Sequence, residues 1–95
     1  MILPALSQAL QDRRLRPSDL RVYGVALELL DLGEFRALKA RTVAHRLLLR
    51  RQHAASSLSR LTKLGYLEAA DQLNGHTRTY RLRMSVQGLG RLDAA

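Results

Sequence analysis

Ninety-five residues, 46% apolar and 25% charged, are enough for one domain with a modest core and too few for a catalytic cleft between lobes. The absence of cysteine excludes a disulfide framework and thiolate metal sites, and no apolar run is long enough to span a bilayer. Sixteen basic residues against eight acidic ones give a net charge of +8, the balance expected of a chain that meets a polyanion.

The excess is localised. Residues 35–67 hold Arg36, Lys39, Arg41, Arg46, Arg50, Arg51, Arg60 and Lys63 and no acid. The plain alternative is an Arg-rich solvated surface with no partner. From the N-terminus, Met1-Ile2-Leu3-Pro4 lacks the basic lead and long apolar region of a secretory signal, so a cytoplasmic, reducing setting is expected. Pro4 suits the first turn of a short helix over about 4–12, which Arg16-Pro17 brings to an end. Ser18 is the expected N-cap of a central helix, with Asp19 in its first turn. Its apolar face holds Leu20, Tyr23, Leu27 and Leu30, widened by Val22, Val25, Ala26 and Leu29, and Gly33 is expected to close it.

Glu34 to Lys39 alternates weakly and reads as a short strand. Helical spacing returns near Ala40, with Val43, Ala44, Leu47 and Leu48 on the apolar side. The pattern slips over Leu49-Arg50-Arg51-Gln52 and restarts with Ala54, Leu58 and Leu61, giving a helix over about 53–64 that ends at Gly65. His53, Ser56, Ser57, Arg60 and Lys63 fall on its opposite side. From Tyr66 the period becomes two. Strands over about 66–71 and 77–84 flank Asn74-Gly75, a strong hairpin signal because both residues tolerate positive φ. Tyr80, Leu82 and Met84 should face one way and Thr79, Arg81 and Arg83 the other. Ser85 starts a last short helix over about 85–94, weakened by Gly88 and Gly90.

The order helix, short strand, helix, turn, helix, hairpin resembles the winged helix-turn-helix family, over about residues 18–92. The segment that carries the resemblance runs from Thr42 to Leu67. Ala44 stands mid-way along the first helix of the motif, Leu49 follows the turn, and Leu58, Leu61, Leu64, Gly65, Tyr66 and Leu67 match the family's Leu-x-x-Leu-x-x-Leu-Gly-Tyr/Leu-hydrophobic ending. Thr79-Tyr80-Arg81-Leu82 is similar to the return strand of the wing. Two positions depart from the pattern: Leu48 stands where glycine is common, and Arg50 where Ser or Thr often caps the second helix. The resemblance implies a mainly α fold with a small β-hairpin (α+β), with the helix-turn-helix at about 40–64 and the wing at about 66–84. It also implies a bacterial or phage transcription regulator that acts by operator occupancy.

The residues support nucleic-acid binding on their own terms. An α-helix fits the major groove of DNA, and its leading half meets base edges. Ala54, Leu58 and Leu61 supply the apolar back, and Ala55, Ser56 and Ser57 small side chains in front. Arg51, Gln52, His53, Ser56 and Ser57 are the candidates for base contacts. Arg41, Arg46, Arg60 and Lys63 are the candidates for phosphates. His76, Thr77 and Arg78 lie at the hairpin tip, with Arg78 placed for a minor groove. Each also has a structural alternative, as a solvated helix residue, a turn residue or an idle surface group. Tyr66 and Tyr80 are read as packing residues, because four aromatics are too few for a single-strand stacking surface.

No enzyme site emerges. His45, His53 and His76 lack ligand spacing, no carboxylate pair sits in the basic third, and Gly88-Leu89-Gly90 is too short for a phosphate loop, so no metal or cofactor is expected. Double-stranded DNA is the expected partner, bound by a homodimer through Leu3, Leu6, Leu10, Leu89 and Leu92 of the flanking helices, in the cytoplasm and on the nucleoid. The alternatives are an origin-binding replication initiator module of a plasmid or phage, and a winged helix used for protein contact, for instance with RNA polymerase. An RNA or single-strand binder ranks below both.

Overall fold

A computed structural model describes residues 3–74 and 77–83, with side chains for 5–70 and 77–83. The expected last helix (85–94), Met84 and His76 lie outside the described residues. Within them the chain is α+β: four helices and a three-stranded antiparallel sheet, in the order α1 (Leu3–Gln11), α2 (Pro17–Leu29), β1 (Arg36–Ala37), α3 (Ala40–Leu47), α4 (Arg51–Lys63), β2 (Leu67–Asn74) and β3 (Thr77–Leu82). Among the described residues no helix is long and apolar enough to cross a membrane.

Helix α1 packs through its small side chains, Ala5 and Ala9, with Leu6 half-buried, and leaves Leu10 64% exposed. Leu6 is thus a core contact, not a free interface residue as expected; Leu10 remains outward. Helix α2 starts earlier than the sequence suggests. Arg16 is the N-cap and Pro17 the first helical residue, so Ser18 is not the cap. Pro17 lacks the N–H that would go unsatisfied there, and Asp19 accepts the Arg16 backbone N–H at 2.8 Å. The helix ends at Leu29 with Leu30 in extended backbone, which corrects the expected stop at Gly33. Instead, Asp31 Oδ1 accepts the N–H groups of Gly33 (3.1 Å) and Glu34 (2.8 Å), shaping the loop into β1. Only Arg36 and Ala37 of the expected 34–39 strand take a place in the sheet.

Helices α3 and α4 are joined by a three-residue turn. Leu48 adopts φ 57° and ψ 42°, the left-handed setting usual for glycine, and is 91% exposed, not on the apolar side as expected. The turn is closed by Leu49 N–H to the Ala44 carbonyl (2.9 Å), and Arg21 Nη2 donates to the Leu47 carbonyl (3.0 Å). Helix α4 begins at Arg51, two residues before the expected start, with Arg50 as an N-cap that makes no side-chain bond. Its end is as read: Gly65 has φ 93°, its N–H bonds the Thr62 carbonyl (3.1 Å), and Tyr66 N–H bonds that of Leu61 (2.9 Å). This pair of hydrogen bonds satisfies the Leu61 and Thr62 carbonyls at the helix end, and the positive φ at its centre suits glycine.

The strand order is β1-β3-β2. Leu67, Glu68 and Ala69 face Leu82, Arg81 and Tyr80, and the register then shifts by two, so that Leu73 and Asn74 face Arg78 and Thr77. The core gathers Val22, Tyr23 and Ala26 of α2, Val43 of α3, Ala54, Leu58 and Leu61 of α4, and Tyr66, Leu67, Tyr80 and Leu82. Tyr23 and Tyr66 meet edge-on with centroids 5.3 Å apart, and burial pushes the Tyr23 hydroxyl up to about 12. Tyr66 Oη donates to Asp12 Oδ2 at 2.7 Å, tying the α1–α2 loop to the segment that follows α4. Burial of Tyr66 and Tyr80 fits the packing role read for both.

Leu48→Gly should stabilise the protein by about 0.5–1 kcal/mol, because relief of the left-handed strain exceeds the extra entropy of an unfolded glycine. Urea unfolding of the two proteins measures it; an equal or lower midpoint in the variant would refute the strain.

Candidate nucleic-acid interface

Helix α4 is amphipathic in an unusual way. Its inner side is apolar at Ala54, Leu58 and Leu61 but also buries Ser57 and a contact to a carboxylate. Asp19, third residue of α2, has 0% exposure. Its Oδ1 accepts from Ser57 Oγ at 2.6 Å, and Arg60 Nη1 donates to Oδ1 at 2.7 Å and Oδ2 at 2.9 Å. The Arg16 backbone N–H occupies the rest of Oδ2. Burial raises the proton affinity of this carboxyl, but the Arg16 N–H, the Ser57 hydroxyl and the Arg60 guanidinium together outweigh it and hold Asp19 below its ordinary value.

One expected DNA contact is therefore corrected. Ser57, 1% exposed, faces inward and cannot meet a base. Arg60 is engaged with Asp19 and is 28% exposed, so its first role is to hold the helix. Arg46 pairs with Glu28 of α2 and borders neither groove described below. For both arginines, an acid distant in sequence has claimed the guanidinium.

The outer side of α4 is a ridge between two grooves. Ala55, Ser59 and Lys63 border both. The first groove, about 820 Å³, lies between α4, the start of α3 and β3. Its lining includes Lys39, Arg41, Arg51, Lys63 and Arg78 and no acid. None of these five cations has an ion-pair partner among the described residues. Small side chains, Ala55, Ser59 and Thr62, form its α4 wall, and Thr77 lines it from β3. The second groove, about 620 Å³, lies on the other side of α4 and includes Arg14, Ser56 and Arg60. Gln52 and His53 are exposed on the first turn of α4 and line neither groove.

The structure thus brings Arg41, Arg51, Lys63, Thr77 and Arg78 to one concavity, and Ser56 to its neighbour. It adds Lys39, Ser59 and Arg14, which the sequence reading did not select. Lys39 was visible in the acid-free run, and Ser59 lies four residues after Ala55 and three after Ser56, on the same helical face. Arg14 has no such signal, because only the fold sets the α1–α2 loop beside α4. Arg14 is itself buttressed: its Nε and Nη2 donate to Asp12 at 2.9 and 2.7 Å. That guanidinium, helped by the Tyr66 hydroxyl against burial, holds the Asp12 carboxyl far below the usual range.

These two depressed carboxyls set an acid limit to the fold. Each stabilises above its ordinary value of 3.8, and the contribution is lost as pH falls below that point towards the folded-state value. Stability should be flat from pH 7 to about 5 and fall steeply below about 4. Asp19→Asn and Asp12→Asn should each flatten that acid limb in urea unfolding; an unchanged limb in both would contradict the assignment. Asp19→Ala, which leaves Arg60 without its buried partner, should cost about 3–5 kcal/mol at neutral pH.

Comparisons with protein-family models, with curated proteins and with solved structures find no match, so the function is argued from this chain's own residues and geometry.

Proposed function

We propose that the protein binds double-stranded DNA as a winged helix-turn-helix domain, with α3 and α4 as the helix pair and the β2–β3 hairpin as the wing. The observation that carries this reading is the groove lined by Lys39, Arg41, Arg51, Lys63 and Arg78 without an acid. Five cations converging on a concave surface raise the local potential far more than the same charges spread over a sphere. A phosphodiester backbone is the polyanion with the matching repeat of charge.

The ridge of α4 favours a duplex groove over a flat contact. Its outward residues, Gln52, Ala55, Ser56 and Ser59, are short or polar, which lets the helix backbone approach base edges. Gln52 and Ser56 are the side chains proposed to read bases, with Arg51 and His53 at the leading end. Lys39, Arg41, Lys63 and Arg78 are assigned to phosphates, which fix position without reading sequence. Burial of Tyr66 and Tyr80 leaves neither as an aromatic platform for stacked single strands.

A regulator acting by operator occupancy is the role that fits best, without catalysis or a cofactor. A homodimer belongs to the same reading, because one module reads a short site and two read a pair of half-sites. Leu10, outward on α1, is available for that contact.

Fluorescence anisotropy on a random duplex of about 30 base pairs, titrated at several salt concentrations, tests the reading. The wild-type chain should bind at micromolar concentration or better. Arg51→Ala/Lys63→Ala should weaken binding and reduce the log–log salt slope by about one, for the Lys63 phosphate contact. Absence of binding at low salt, or an unaltered slope in the variant, would overturn the proposal. Arg60→Ala is unsuitable here, since losing the Asp19 contact would confuse unfolding with loss of binding.

A further inference from the structure

The two grooves beside α4 bear the same kind of side chain in different electrostatic states. In the first, the cations have no partner among the described residues. In the second, both arginines are held by buried carboxylates. Arg14 uses Nε and Nη2 on Asp12, whose side chain is 4% exposed, and keeps 56% of its own side chain open. Arg60 uses Nη1 on Asp19. The Nη1 group of Arg14, and the Nε–H and Nη2 group of Arg60, are not used in those pairs. Ser56 and Ser59 add hydroxyls to the same concavity, and Lys63 stands between the two grooves.

A guanidinium fixed along one edge by a carboxylate has already lost the rotamer freedom that binding would otherwise remove. Its remaining N–H groups are set in direction, and they suit an oxyanion better than a mobile surface arginine does. Each pair is close to neutral, so this groove contributes directed donors and little long-range field. The field comes from the other side of α4.

We infer that the second groove is a phosphate site for the opposite strand of the duplex, with Arg14 as its main donor and Arg60, Ser56 and Ser59 beside it. This rests on the proposed function above. The first groove takes one backbone by charge, and α4 lies between the two backbones. The second takes the other by directed hydrogen bonds from a loop that precedes α2. The division makes the protein selective for paired over single-stranded DNA, since a lone strand can occupy only one of the grooves.

The test uses a variant that removes the donor without changing net charge, Asp12→Asn/Arg14→Gln. The amide oxygen introduced at position 12 can still accept the Tyr66 hydroxyl, and thermal melting checks the fold. Duplex affinity should fall about tenfold, the size of one charge-assisted hydrogen bond. Affinity for one strand of the same oligonucleotide should change less than about twofold. In the wild-type chain with isotope-labelled arginine, the Nε–H signals of Arg14 and Arg60 should shift with duplex and stay in place with the single strand, a readout that needs no variant. An equal loss for duplex and single strand would overturn the second-strand assignment. So would unmoved Arg14 and Arg60 signals, or an unchanged duplex affinity in the variant. If in those cases wild-type binding stays sensitive to Arg51→Ala/Lys63→Ala, DNA binding survives and only this site is lost. A wild-type chain that ignores duplex altogether removes both.

Discussion

The setting of α4 depends on one buried carboxylate. Apolar packing through Ala54, Leu58 and Leu61 holds the helix against the core, but such contacts tolerate sliding and rotation about the helix axis. Asp19 removes that latitude, because hydrogen bonds are directional and it makes them to Ser57 and Arg60 on adjacent turns of α4. The same carboxylate accepts the Arg16 N–H at the start of α2. A carboxylate with 0% exposure would be severely destabilising if left unpaired. Here its oxygens are all engaged, so its burial selects one arrangement of α2 against α4. The outward ridge and the two grooves beside it inherit their orientation from that contact.

The acids of the framework also explain how a basic chain becomes a directional one. Asp12, Asp19, Glu28, Asp31 and Glu68 pair with Arg14, Arg60, Arg46, Arg36 and Arg81. These pairs tie loops and strands together: Arg81 also covers the Phe35 ring, 4.5 Å from its centroid, and Arg36 closes on Asp31 near the start of β1. The cations that gather in the first groove have no acid partner among the described residues. At physiological ionic strength, charges screen one another beyond about 8 Å. A cluster inside one concavity therefore acts together where the same number of scattered charges would not.

This pairing marks the boundary of what the sequence discloses. Periodicity located the helices, the change to a two-residue period located the hairpin, and Gly65 marked the end of α4 because a positive φ has few other occupants. Ser57 falls on the outer face by spacing for a specific reason. A helical projection sets it beside Ser56, and the partner that turns it inward is Asp19, 38 positions away; Arg60, 41 positions away, is tied to the same carboxylate. Arg46 likewise meets an acid distant in sequence, Glu28, 18 positions away. Ser18 had the better intrinsic preference for a cap, but Pro17 fixes the first helical residue and Asp19 reaches back to Arg16, so the local pattern as a whole overrode the single residue. Spacing places Leu48 on the apolar side, whereas the left-handed backbone of the turn carries it outward.

The turn before α4 shows where stability and the proposed role pull apart. The helix starts without a side-chain cap and without an acid in its first turn, and two arginines, Arg50 and Arg51, stand at the end where the backbone dipole is positive. Cations there are unfavourable by roughly 0.3–1 kcal/mol each, and a missing cap costs about 1 kcal/mol more. Leu48 adds backbone strain just upstream. In contrast, the C-terminus of α3 next to it is supported by Arg21 on the Leu47 carbonyl. The unfavourable terms therefore fall at the leading end of the helix proposed to enter DNA. A phosphate arriving there would meet unsatisfied N–H groups, the dipole and two guanidinium groups together. On the proposed DNA-binding reading, the features that weaken the free protein would become attractive ones, and part of the binding free energy would be the relief of a repulsion built into the fold.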